Sequence, residues 1–559
     1  MTSSLLDSVF SAWGAGGAIE AVFLAVVLAV AAAGAVLERT SGPEVGRLSR
    51  SVPWVVVAAA LAFYAEGVRR AWAFSTDDAF ITLRYASNLA GGAGLSFNPG
   101  EAPPVDGYSN FTYLLFGALA IALGADPILT LKIVSVAATG IGLLIAFRLL
   151  ATLVGRSLAS VGVLYLSTYY GVIWWSVSGL ETGFYMAIVV GAVWLILPAL
   201  ERESPPVAAP RIVAAGLLSA VGAMTRPEGA LVGLVLLAIL FAKAVLVDRA
   251  RGAGAIARTP VVRFLVAFAV PLAGYCAWRL GFYGRILPNS VHCKADWVAN
   301  PWSLLDDFVE ANAPLLLAAV AGLGRAKDPR TWPLFLVPGA YAVILHGVDP
   351  IIGHETRHFV GSLPLAVGAG LIGAAFLARG RGRWAIPSWL ALCAWLLVAI
   401  RPPPFDRIER RAEGYAERNE IRRGIAAELD RLAEPGASVL LGDAGIIPFA
   451  SSLRYLDAYC LNSREMTSSE IDRDPERFAD DVLFRERPEF IVINNRRNSR
   501  LDPYHYLGTW PAVIAHGEFK RSYEYAWHTE GARYSRYWIY RRKHPADGPT
   551  APSAVAEDP

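Results

Sequence analysis

Asp77 and Asp78 stand side by side in the stretch Phe74-Ser-Thr-Asp-Asp-Ala-Phe-Ile-Thr-Leu-Arg84, directly after an apolar run. A carboxylate pair beside aromatics and an arginine suits general-base work, because a positioned carboxylate can take the proton of an attacking hydroxyl. The same pair suits a plainer role. Aspartate is a favoured helix N-cap, and its charge complements the positive end of a helix. Both readings stand at the level of these residues.

Other polar groups interrupt apolar sequence farther along. Arg84-Tyr85 is followed by a glycine-rich stretch from Gly91 to Gly100 that holds Asn98, then by Asp106-Gly-Tyr-Ser-Asn110 with Tyr108. The glycines and Pro99 mark turns; no strand-to-helix context supports a phosphate-binding loop. Asp106 also suits an N-cap, and Glu181 in Ser178-Gly-Leu-Glu-Thr182 suits a helix start. Arg226 and Glu228 lie two residues apart between apolar runs, which fits an ion pair. The segment 282–294 carries Arg285, Asn289 and Lys294, and cations there suit a lipid headgroup phosphate. The segment 347–358 packs in Asp349, His354, Glu355, Arg357 and His358. Its His-Glu-x-x-His order is formally a zinc motif, but it opens in a short loop after Gly353 and lacks a third ligand.

These groups need elements to hold them. Of 559 residues, 54% are hydrophobic and 18% charged, with a mean hydropathy of +0.40. Soluble domains carry about a quarter charged residues, so residues 1–400 read as a polytopic α-helical membrane domain. The net charge of +3 is too small to point to nucleic acid or another polyanion. Runs able to cross a bilayer fall near 18–37, 52–70, 127–154, 157–175, 180–200, 208–224, 228–247, 261–280, 312–324, 331–347, 359–378 and 385–400. A shorter run covers 109–124. The first run lacks a basic leader and reads as an anchor rather than a cleaved signal. Arginine and lysine gather in 38–50, 248–263, 324–330 and 379–383, which the positive-inside rule makes cytoplasmic. Counting crossings between them gives about twelve spans. The N-terminus is then outside, and 109–124 enters and leaves on one face. Every polar segment named above falls on the outer face, and so does everything after 400. Randomly scattered polar residues would not segregate by side.

From Arg401 the composition turns charged and mixed. An amphipathic helix over 410–432, strands over 437–443 and 490–494, and an antiparallel pair at 523–527 and 535–540 predict a small α/β domain over 401–543. The tail from 544 is rich in Pro and Ala and is expected to be disordered. Asp443, at the end of the first strand, reads as a cap before it reads as a site residue. Four cysteines, Cys276, Cys293, Cys393 and Cys460, make no disulfide framework, though Cys293 and Cys460 fall on the same side of the membrane.

Taken jointly, several stretches resemble the GT-C superfamily of membrane glycosyltransferases, and more narrowly its AftB-type bacterial arabinofuranosyltransferase branch. They are Asp77 to Tyr85, Gly94 to Gly100, Asp106 to Asn110, Ser178 to Thr182, Thr225 to Gly229, Leu287 to Ser290 with Lys294, Arg357 leading to Pro364, and Gly442 to Gly445. Two departures stand out: Gly347-Val-Asp349 replaces an expected Gly-Gly-Asp, and 18–37 is an extra segment. The resemblance implies a polyprenyl-phosphate-linked sugar donor and a glycan, lipid or protein acceptor of the cell envelope. It implies a multi-pass protein of a bacterial plasma (inner) membrane, with an extracytoplasmic site and C-terminal domain. The first outer loop, about 71–108, would supply the base, Asp77 or Asp78. Lys294, Arg226 and Arg357 become candidates for stabilising the departing phosphate. Arg84, Tyr85, Asn98, Asp106, Tyr108, Glu181, Glu228, Asn289, Asp349, His354 and His358 complete the candidate substrate contacts. No nucleotide is needed, and a divalent cation (Mg or Mn) is compatible with the chemistry without being required. A transporter or flippase of a lipid-linked saccharide is the alternative class. It would keep polar sites at the midplane, in broken helices of repeated halves, and the chain shows no internal repeat.

Overall fold

The computed structural model describes residues 46–201, 208–248, 254–295, 303–325, 327–346, 354–377, 405–463, 475–495, 509–529 and 536–543, with 395 and 400. The expected span 18–37, nearly all of 385–400, Asp349 and the tail from 544 lie outside these residues. The membrane part runs α1 (Gly46–Ala71), α2 (Asp77–Ala90), α3 (Phe111–Ala122), α4 (Pro127–Val154), α5 (Arg156–Thr168), α6 (Tyr170–Ser176) and α7 (Thr182–Ile196). It continues with α8 (Ala209–Thr225), α9 (Glu228–Lys243), α10 (Gly254–Tyr283), α11 (Asn289–Ala295), α12 (Ser303–Gly322), α13 (Trp332–Leu345) and α14 (Leu363–Leu377).

Helix α4 shows how sequence sets these boundaries. Asp126 caps it by accepting from Leu129 N at 3.0 Å, and Pro127 fills the first turn, where its missing N–H costs nothing. At about 1.5 Å per residue, 28 residues are ample to cross a bilayer. Its outward side chains, Ile133 and Ile141 among them, are themselves apolar, a surface made for hydrocarbon rather than water.

Among the described residues, five helices are long and apolar enough to span, or six if one bent pair counts as a single span. That pair is α5 and α6, which meet at 58° where a continuous 157–175 span was expected. Tyr169 at the junction is extended, and its hydroxyl meets Asn312 (3.2 Å) and Thr356 (2.9 Å), contacts a straight helix would not place. Helices α3, α8 and α14 are apolar but shorter. The protein is therefore polytopic.

The C-terminal part runs α15 (Phe405–Leu432), β1 (Ser438–Leu441), α16 (Ile446–Phe449), β2 (Arg454–Asp457), α17 (Pro475–Asp480), β3 (Phe490–Asn495), α18 (Thr509–Ala515), α19 (Gly517–Ser522), β4 (Tyr523–His528) and β5 (Arg536–Arg542). The strands form one sheet of order β2-β1-β3-β5-β4. β1 is parallel to β2 and β3, and β5 is antiparallel to β3 and β4. Sequence reasoning missed β2 and the short helices. Strand side chains alternate between faces, and the two faces serve different cores. Val439, Leu441, Phe490 and Val492 join the core that runs through α15 into the membrane helices. Leu440, Ile491 and Ile493 join a separate core with Trp510 and Trp538. The sheet is thus docked on the helices through one whole face.

Candidate active site

The segments that the charge count grouped on one side meet around one cavity of about 270 Å³. Asp78 and Thr82 of α2 line it, with Tyr108 and Asn110 ahead of α3 and Glu181 ahead of α7. Arg226 and Glu228 enter from the α8–α9 turn, and Arg357 and His358 from the turn before α14. Ile344 and Leu345 of α13, Val291 of α11 and Leu461 of the C-terminal part supply apolar wall.

The charged groups form a connected cluster. Arg226, an extended residue ending α8, reaches Glu228 at 3.0 Å and Glu181 at 3.2 Å. Glu181 also accepts from Asn110 at 2.9 Å, and Asn110 accepts from Thr82 at 3.1 Å. The His358 Nδ1 lies 3.0 Å from the Arg226 guanidinium. A guanidinium can only donate, so Nδ1 accepts and the ring is neutral. Burial agrees, pulling the His358 pKa down to about 4. Arg357 is satisfied least. Its guanidinium lies 5.1 Å over the Trp175 ring, its Glu181 contact is long at 3.6 Å, and its buried Nε has no hydrogen-bond partner.

Asp77 turns the other way. It is absent from the cavity wall, and its carboxylate accepts from Gly445 N (3.0 Å) and Ile446 N (2.9 Å) of the C-terminal part. A Cβ on Gly445 would collide with Asp77, so glycine permits this approach. Arg422 of α15 stands 3.5 Å away and bridges to Asp443 at 2.8 Å. Burial pushes the Asp77 carboxyl up to about 6, with Arg422 opposing. Asp443 is no cap. It accepts from Arg422, Asn494 and Tyr537, and these donors outweigh burial and hold it below the ordinary range.

Several expected substrate contacts are instead committed within the protein. The Arg84 guanidinium donates to the carbonyls of Phe97 (3.1 Å), Leu453 (3.1 Å), Pro448 and Ser451. Asp106 is ion-paired with Arg279 and accepts from Asn289 N at 3.3 Å. Asn289 donates to the carbonyls of Cys460 and Leu461. Tyr85 bonds Val105 O and Asn462, and Asn98 bonds the Tyr455 backbone. The two histidines do not share a site. Glu355 and Thr356 between them are left-handed, so 354–358 is no α-helix, and His354 packs on Trp175. Among the described residues no cluster of His, Cys, Asp and Glu fit for a metal occurs. The Lys294 side chain lies outside the described residues. Cys460 is disulfide-bonded, and Cys276 is a free thiol. Sequence reasoning missed Arg279, although a charge inside the apolar run 261–280 was the signal for it. Arg422 sat on an amphipathic helix and carried no signal.

Comparisons with known proteins bear on the fold. Residues 409–540 match a domain of unknown function, DUF8728. The chain is 28% identical over 310 residues to a terminal β-(1→2)-arabinofuranosyltransferase of Mycobacterium tuberculosis, covering 51% of this chain and 46% of the relative. The match thus spans under half of that relative's length. ArnT from Cupriavidus metallidurans bound to undecaprenyl phosphate is similar with a TM-score of 0.54 at 10% identity, covering 87% of this chain and 97% of that one. The oligosaccharyltransferase AglB from Archaeoglobus fulgidus, in complex with an inhibitory peptide and a dolichol-phosphate, gives 0.56 at 12% identity, covering 86% and 80%. The chain is a polytopic membrane protein of GT-C fold, similar to arabinofuranosyltransferases.

Proposed function

We propose that this protein moves a sugar, arabinofuranose or another pentose or hexose, from a polyprenyl-phosphate donor to a cell-envelope acceptor on the extracytoplasmic face. One observation carries the reading. A single cavity brings the Asp78 carboxylate together with Arg226 and Arg357, and the buried Arg357 Nε lacks a partner. Asp78 takes the acceptor hydroxyl's proton as that oxygen attacks the anomeric carbon. The bond from that carbon to the phosphate oxygen breaks, and the lipid phosphate leaves with the electron pair. Its growing negative charge is met by Arg357, and by Arg226 from within its ion-pair cluster. Neutral His358 holds Arg226 in place without adding charge. A single displacement of this kind inverts the anomeric centre.

Two relatives of the same fold carry polyprenyl or dolichol phosphate in their solved complexes, and the curated relative is a glycosyltransferase. Nothing found supports a transporter. The test is transfer of labelled sugar from a polyprenyl-phosphate donor by membranes containing the protein, paired with glycan analysis of a deletion strain. Unchanged envelope glycans and lipid-linked sugars in that strain would refute the reading.

A further inference from the structure

A cavity of about 270 Å³ falls below the ~300–1,000 Å³ usual for ligand sites. It suits one sugar and a phosphate, not a chain of sugars. A larger hollow of about 840 Å³ lies between the first outer loop and the rim of the C-terminal sheet. Residues 98–103 and Val105 form one bank, and residues around Glu434, Ser452 and Glu486 form the other.

The two hollows stand back to back. Val105 lines the outer cleft and Gly107 the inner cavity, while Ser463 lines the cleft and Leu461 the cavity. Two short segments therefore make one partition, each showing alternate residues to either side. The residue in the middle of each is pinned. Asp106 is paired with buried Arg279, and Asn462 donates to Asp457 at 2.8 Å and accepts from Tyr85 at 3.1 Å. A Cβ on Gly107 would strike Asn462, so the segments touch. The two banks are tied to each other and to α2. Asn98 exchanges two 2.9 Å bonds with the Tyr455 backbone, and Arg84 holds the Leu453 carbonyl. Such a cleft is formed before anything binds.

Its chemistry is selective. Among the described residues, Glu101, Asp430, Glu434 and Glu486 face it against one cation, Arg454, which pairs with Glu486 at 3.0 Å. Carboxylates accept from sugar hydroxyls, and Pro99, Pro103 and Leu456 offer apolar surface to ring C–H faces. An anionic chain would be repelled.

Building on the proposed glycosyl transfer, we propose that the cleft holds the inner residues of a neutral oligosaccharide acceptor while its terminal hydroxyl reaches Asp78 past the partition. The test uses the full chain in lipid nanodiscs without donor. The probes are neutral linear oligosaccharides released from the producing cell's envelope, taken as disaccharide and hexasaccharide, and a uronic-acid hexasaccharide. Titration calorimetry should show the neutral hexasaccharide binding about tenfold or more tighter than the disaccharide. Ser452→Trp, which fills the cleft, and Glu434→Lys should each erase that length advantage, and in transfer assays should raise KM for the long acceptor more than they lower kcat. Equal affinity for both lengths, an advantage surviving both variants, tighter binding of the uronic-acid chain, or no binding would overturn the proposal. Intact length-dependent binding with no sugar transfer would instead overturn the transferase reading alone.

Discussion

Helix α2 borders two regions of opposite character. On the cavity side, Asp78 faces a cluster whose charges are not fully matched, with a bare Nε on Arg357. On the other side, Asp77 and Arg84 meet the C-terminal part, where each is saturated by backbone amides or carbonyls. Buried polar groups normally have partners. The partners of Asp77 and Arg84 are thus supplied within the protein, whereas the Arg357 Nε beside Asp78 has none, and that difference supports the proposal that the cavity side receives the ligand. Neighbouring aspartates thus face different surroundings because successive helical positions point about 100° apart.

That contrast can be broken experimentally. The largest expected effect is on the cavity side: Asp78→Asn should lower sugar transfer by about 10²–10⁴-fold with normal membrane abundance, as loss of a general base does. Arg357→Lys keeps the charge but loses the planar donor set, and should cost about 10²-fold in kcat. On the docking side the loss should appear in stability. Arg84→Ala leaves the Pro448, Ser451 and Leu453 carbonyls without their Arg84 donor and should lower unfolding free energy by about 3 kcal/mol, read by thermal unfolding in detergent.

The smallest effect is a pH dependence. Burial raises the Asp77 pKa to about 6 from an unfolded value near 3.8, so the folded state binds more protons between those values. Stability should therefore rise as pH falls from 7 toward 4. Asp77→Asn should lack this component. A wild-type minus variant difference that stays flat across that window would contradict the assignment.

Much of this arrangement was legible in the sequence. The apolar run 127–154 became a helix with those bounds, because a cap, a first-turn proline and Gly155 all agree. The positive-inside count grouped the segments that meet at the cavity. It could not tell Asp77 from Asp78, since that depends on which helix face meets the sheet. Arg84, Asp106 and Asn289 looked like substrate contacts because polar residues at an outer loop invite that reading, yet distant carbonyls and Arg279 occupy them. Partners some 170 to 370 residues away in sequence leave no local pattern.

The most direct test of the central claim is a side-by-side comparison of Asp77→Asn and Asp78→Asn in one transfer assay with a polyprenyl-phosphate sugar donor. The account predicts that Asp78→Asn loses at least about 10²-fold in kcat while Asp77→Asn stays within about tenfold of wild type and unfolds differently with pH. Equal losses in both, or a larger loss in Asp77→Asn, would contradict it.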